Sequence, residues 1–121
     1  MNKLVYQLYS LWGNYEITVT NEDGEIRFST ASDIEGFTDK EGSTDLGTFM
    51  SLLKEAGIEK WDSAYVADDS RIEDAVKWRS EYTKDGRMYT SEGEEGFWPY
   101  GHEKLLEALK LLDEDLKRFD G

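Results

Sequence analysis

Residues 15–30 read YEITVTNEDGEIRFST. Tyr15, Ile17 and Val19 alternate with Glu16, Thr18 and Thr20, and Ile26 and Phe28 then alternate with Glu25, Arg27 and Ser29. A period of two puts one set of side chains on a buried face and the other in water. The Asp23-Gly24 step between the two runs is a hairpin turn signal, so this stretch predicts a β-hairpin with one buried face.

The same grammar recurs downstream. Val76, Trp78, Ser80 and Tyr82 alternate with Lys77, Arg79, Glu81 and Thr83; KDG turns the chain, and Met88 and Thr90 return on a common side. Asp23-Gly24 and Asp85-Gly86 lie 62 positions apart. Upstream, KLVYQLYSLW (3–12) suits an additional N-terminal strand, with a helix as the competing reading. Residues 31–45 are polar and broken by glycine, and are read as a loop.

Each hairpin is followed by a helical pattern. Leu46, Phe49, Met50 and Leu53 keep one helical face, with Ser43 or Thr44 as the N-cap and Gly57 as the left-handed terminator before Ile58. Leu105, Leu109, Leu112, Leu116 and Phe119 form a second stripe, widened by Leu106 and Leu111. Glu103, Glu107, Asp113 and Asp115 fill the remaining face. The expected fold is α+β: an antiparallel sheet from two hairpins, two helices on one sheet face, and a repeated hairpin–loop–helix order. Residues 59–76 carry a strand or a helical turn at Trp61, Tyr65 and Val66, followed by a strongly acidic segment.

At 121 residues the chain has the length of one domain, read as spanning 1–121. Four Trp, seven Tyr and five Phe make the 38% apolar fraction bulky, unlike a disordered acidic tail. The formal charge is −13, from 27 acidic and 14 basic residues. Up to Lys60 there are 11 acids and 5 bases, and beyond it 16 and 9, so the acidity belongs to the folded body. Such a field repels nucleic acid and anionic membrane and favours basic partners; its simplest use is solubility. The absence of cysteine excludes disulfides, thiolate metal sites and a thiol nucleophile, and suits a cytoplasmic location. No signal peptide or membrane span is expected.

Catalytic patterns are sparse. His102, the single histidine, opens the last helix, where a packing or capping role is the commoner one. Asp39, Glu41, Ser43 and Asp45 alternate like a calcium loop, but Thr44 and Met50 stand where glycine and glutamate are needed. The glycines of GEEGFWPYG (93–101) sit among glutamates that would repel a phosphate. The chain is therefore read as a non-enzyme, with no catalytic residue, cofactor or metal.

Its acids instead form patches beside aromatics: Asp68, Asp69, Glu73 and Asp74, then Glu92, Glu94 and Glu95 next to Trp98 and Tyr100. Carboxylates on a rigid frame can pair with the lysines and arginines of a groove built for a polyanion, with aromatics as the buried anchor. These nine residues are the expected partner-binding set. In size and charge the chain is similar to small phage-encoded inhibitors of bacterial defence nucleases, anti-CRISPR proteins among them. That similarity implies a nucleic-acid mimic docking on a basic surface of a nucleic-acid-processing effector. Two alternatives stand beside it: an immunity protein neutralising a toxin, and an acidic adaptor or housekeeping domain whose charge serves solubility alone. Phe97, Trp98 and Tyr100 are further expected to pin their loop onto the core, leaving Glu92, Glu94 and Glu95 in water.

Overall fold

A computed structural model describes residues 2–11, 13–22, 25–65, 76–94 and 98–116. Its strands are β1 (Asn2–Ser10), β2 (Gly13–Glu22), β3 (Glu25–Ser32), β4 (Glu41–Asp45), β5 (Ala64–Tyr65), β6 (Lys77–Lys84) and β7 (Arg87–Glu94). The helices are α1 (Leu46–Ala56) and α2 (His102–Leu112), with a 3₁₀ turn at Ile58–Lys60. The strands form one sheet in the order β4-β3-β2-β1-β6-β7-β5, antiparallel throughout except for the two-residue β5 against β7.

Both predicted hairpins are present. In the first, the pairing of Glu22 with Glu25 closes β2 onto β3; the Asp23-Gly24 turn itself lies outside the described residues. In the second, Lys84 pairs with Arg87, and Asp85 and Gly86 both take positive φ, 52° and 81°. Two consecutive left-handed residues give the turn whose twist matches that of the flanking strands, which is why Asp-Gly stands there. The N-terminal run is a strand. β1 pairs with β2 on one side and β6 on the other, and so joins the two halves at the centre of the sheet.

The alternation decides which face is covered. Leu4, Tyr6 and Leu8 of β1, Tyr15, Ile17 and Val19 of β2, Ile26 of β3, and Trp78 and Tyr82 of β6 are buried. They form one core with Phe49, Leu53 and Ala56 of α1 and Leu105, Ala108 and Leu109 of α2. The opposite face bears Lys3, Gln7, Glu16, Thr18, Arg79 and Glu81, and among the described residues no helix lies over it. This is the one-sided antiparallel sheet that the pattern predicts.

Several expectations are corrected. Residues 41–45 are not loop but the edge strand β4, paired with β3. Ser43 and Thr44 therefore lie in a strand, opposite Arg27 and Ile26, and the residue that precedes α1 is Asp45. On β7, Met88 and Thr90 share a side as expected; it is the outer one, and the buried positions are Ser91 and Gly93, with Tyr89 half-buried. In α2, Leu111 faces water and Ala108 takes a place in the stripe. Phe119 lies outside the described residues. Gly57 does adopt the left-handed conformation, φ 67°, and Ile58 folds into the core. Among the described residues no helix is long and apolar enough to cross a membrane.

Candidate functional site

His102 is 2% exposed, at the first position of α2. Its Nε2 lies 2.8 Å from the Tyr6 hydroxyl on β1. Trp98 stacks on the imidazole with centroids 4.3 Å apart and planes within 16°. Trp78 and Trp61 flank it at 5.0 and 5.8 Å. The sheet makes room for these rings because the β7 residues opposite Trp78 and Ser80 are Gly93 and Ser91. Burial disfavours the imidazolium and pushes the His102 pKa down to about 3, and burial also raises that of the Tyr6 hydroxyl. The pair exchanges a hydrogen bond between two neutral groups. A buried imidazole of so low a basicity has no access to a substrate proton, so the packing reading of His102 accounts for its surroundings.

The loop entering α2 is fixed by its backbone. Trp61 Nε1 donates to the carbonyls of Ala56 (2.9 Å) and Tyr100 (3.1 Å), and the His102 amide donates to the Pro99 carbonyl. Gly101 has φ 93°, and a Cβ there would run into the Ala56 carbonyl oxygen at the end of α1. The loop is thus held without the Tyr100 side chain, which is 97% exposed. Its expected role in pinning the loop is corrected on that ground. Trp98 does pack inward through its stack on His102, yet stays 39% exposed. Phe97 lies outside the described residues.

Of the expected carboxylates, Asp68, Asp69, Glu73, Asp74 and Glu95 also lie outside the described residues. Glu92 is exposed, and Arg79 Nη1 stands 3.7 Å from it. Glu94 is half-buried with Oε2 out of solvent, so it does not simply point to water as expected. In the register, Glu92 and Glu94 stand opposite Arg79 and Lys77, while the intervening Gly93 stands opposite the buried Trp78. The two glutamates therefore belong to the uncovered sheet face, and the Trp98–His102 stack to the helix side. The single patch read from the sequence is divided between two faces.

The exposed carboxylates of the helix side are different ones. Glu103 stands in the first turn of α2, exposed. Glu55 of α1 and Glu107 of α2 both reach Lys104, at 3.7 and 3.3 Å. Glu103 and Glu107 are legible in the sequence as the polar face of α2. Glu55 enters only through the packing of α1 against α2.

Asp113, expected on the polar face of the last helix, is instead buried, 1% exposed just past the end of α2. It accepts from the Tyr15 hydroxyl at 2.8 Å and from Lys40 Nζ at 2.6 Å. Lys40 also donates to Asp115 at 2.7 Å, and Asp115 accepts from the Thr38 amide. Burial, together with the hydrogen bond to Asp113, raises the Tyr15 pKa. Burial opposes the charge of Lys40, but its bonds to Asp113 and Asp115 outweigh this and raise its pKa. The cluster ties the β3–β4 connection to the end of α2, a structural arrangement in which one lysine bridges two carboxylates.

Among the described residues no three His, Asp or Glu side chains gather as a metal-ligand group. Neither a scan against protein-family models nor a search of the curated proteins finds a match for this chain.

Proposed function

We propose that this protein is a non-enzymatic binding protein that docks through the helix side of its α2 entrance on a basic surface of another protein, a groove that otherwise holds nucleic acid. The observation that carries the reading is Tyr100, an aromatic ring almost wholly in water on a backbone clamped by Trp61 and by the close approach of Gly101 to α1. A rigid, exposed aromatic is the type of residue that becomes a hot spot when a partner covers it. Trp98 adds a second partly exposed ring, and Glu55, Glu103 and Glu107 supply the carboxylates that lysines and arginines of such a groove would meet. The overall charge of −13 would speed the encounter.

The test is capture from host cells with wild-type protein and with Tyr100→Ala, followed by affinity measurement on the purified partner. Tyr100→Ala is expected to weaken binding by roughly tenfold or more, and Glu103→Lys to weaken it and flatten its salt dependence. Duplex nucleic acid should compete for the partner. A partner that binds Tyr100→Ala as tightly as wild type, or that holds nucleic acid and this protein together, would sink the proposal.

A further inference from the structure

Between α1, the 3₁₀ turn and the β6 end lies a groove of about 620 Å³. That is the size of a small-molecule site, commonly some 300–1,000 Å³. Its apolar wall is made by Met50, Leu53, Ile58 and the ring of Tyr82. Its polar rim is Lys54, Lys60 and Lys84, with Glu59 the single acid. In a chain with 27 acids and 14 bases, this rim inverts the local balance. Glu59 is already engaged by Lys84 at 3.0 Å. Neither Lys54 nor Lys60 has a carboxylate within ion-pair distance among the described residues. The end of α1 accounts for one cation at Lys54 through the helix dipole, but not for Lys60 or for the apolar wall between them. A smaller cavity of about 20 Å³, walled by Leu4, Val19, Ile26 and Phe49 with Lys3, Thr20 and Asn21 at its edge, shares Met50, Leu53 and Tyr82 with the groove.

We infer that this groove binds a small organic anion with an apolar chain: its carboxylate between Lys54 and Lys60, its chain along Leu53, Ile58 and Tyr82 toward the smaller cavity. Lysines act as point charges and suit a single carboxylate head without a fixed bidentate geometry. None of the groove residues belongs to the Trp98–Tyr100 region or to its carboxylates, so this site and the proposed docking site stand or fall separately.

Titration of ¹⁵N-labelled protein with sodium octanoate tests the inference. Saturable shifts are expected at the amides of Leu53, Gly57, Ile58 and Lys84. Affinity should rise roughly threefold to fourfold per added CH₂ from hexanoate to decanoate, the increment for burying one methylene. Octylammonium, with the same chain and the opposite charge, should bind at least tenfold more weakly. The paired Lys54→Glu, Lys60→Glu variant should lose tenfold or more, while Lys77→Glu on the uncovered sheet face should change nothing. Both rim side chains are exposed, so the fold should survive, and circular dichroism checks this; should it fail, the octanoate–octylammonium comparison on wild type still decides. Equal binding of octylammonium, equal shifts from inorganic phosphate, shifts scattered elsewhere, or no saturation would each overturn the assignment.

Discussion

Gly101→Ala tests whether the α2 entrance is as tightly built as the geometry requires. Gly101 combines two constraints: a backbone at φ 93°, and an ideal Cβ position that overlaps the Ala56 carbonyl oxygen, with Ala56 C at 2.9 Å and Cα at 3.1 Å. Gly57, one residue past the end of α1, has the first constraint without the second: φ is 67°, with nothing within 4 Å of its Cβ position. Gly57→Ala should therefore cost only the left-handed strain, about 1–2 kcal/mol. Gly101→Ala adds an overlap with backbone that cannot rotate away, and whose carbonyl is also held by Trp61 Nε1. Forcing extra volume into a packed site costs about 1–3 kcal/mol. The sum is about 2–5 kcal/mol. For a chain of this length 1 kcal/mol moves Tm by about 4 °C. The expected losses are then about 4–8 °C for Gly57→Ala and about 8–20 °C for Gly101→Ala. Thermal and urea denaturation of both variants, with Gly86→Ala as a second open-space control, measures the difference. Two variants within about 0.5 kcal/mol of each other would refute the reasoning, because the clamp on the loop would then not exist.

Two further outcomes follow from the buried polar groups. His102 takes up its proton near pH 6.5 when unfolded but only near pH 3 when folded, so the unfolded chain binds more protons in that window and stability falls as pH falls through it. The stability advantage of wild type over His102→Gln should narrow by about 2 kcal/mol between pH 7 and pH 5, where shared carboxylate effects cancel; a constant gap in urea titrations would contradict this. Asp113→Ala should cost about 2–4 kcal/mol, since it strips a buried acceptor from Tyr15 and Lys40. Glu81→Ala, which removes one of two surface carboxylates beside Arg79, should stay within about 0.5 kcal/mol, and similar losses for the two would be the adverse result.

The period-two pattern made the hairpins and the covered face legible, because Tyr15, Ile17, Val19 and Ile26, like Trp78 and Tyr82, had to share a side. β1 was ambiguous: KLVYQLYSLW serves a helix nearly as well, and only pairing on both edges, with β2 and β6, decides it. β4 had no visible signal. Its positions on the covered side are Thr44, opposite Ile26, and Gly42, opposite Phe28, whose ring carbons lie 3.2 and 3.3 Å from a Cβ built at Gly42. The apolar surface is supplied by the partner strand, so β4's own sequence carries no alternation. A 3.6-residue period continued past Leu112 puts Asp113 on the polar face, but α2 ends there and the chain turns the carboxylate onto Tyr15. At the candidate site, His102 was legible as a packing residue. Tyr100 was not, because whether an aromatic in a loop is buried depends on what else holds the loop, and here Trp61 and Gly101 do so.

The division of charge between faces narrows how a basic partner could approach. On the uncovered sheet face the register sets Gln7 between Glu16 and Arg79, Arg79 between Gln7 and Glu92, and Lys77 between Tyr9 and Glu94. Cations and anions alternate across it, and Lys3 lies two rows further along, past Val5 and Glu81. A polyanion mimic needs one sign over a continuous area, since each interspersed lysine or arginine would face the partner's own cations. That face is therefore ill suited to the proposed docking despite carrying Glu92 and Glu94. The helix side has its lysines differently engaged: Lys104 is held between Glu55 and Glu107, and the open cations Lys54 and Lys60 rim the groove. A basic partner meeting Tyr100 would find Glu103 beside it with no cation interposed in the same helical turn but the already paired Lys104. The two proposed sites thus use opposite electrostatics that net charge alone would merge: the docking would use an acidic, aromatic-anchored approach at the start of α2, and the anion would meet a local basic rim at the end of α1 against the field of the whole molecule.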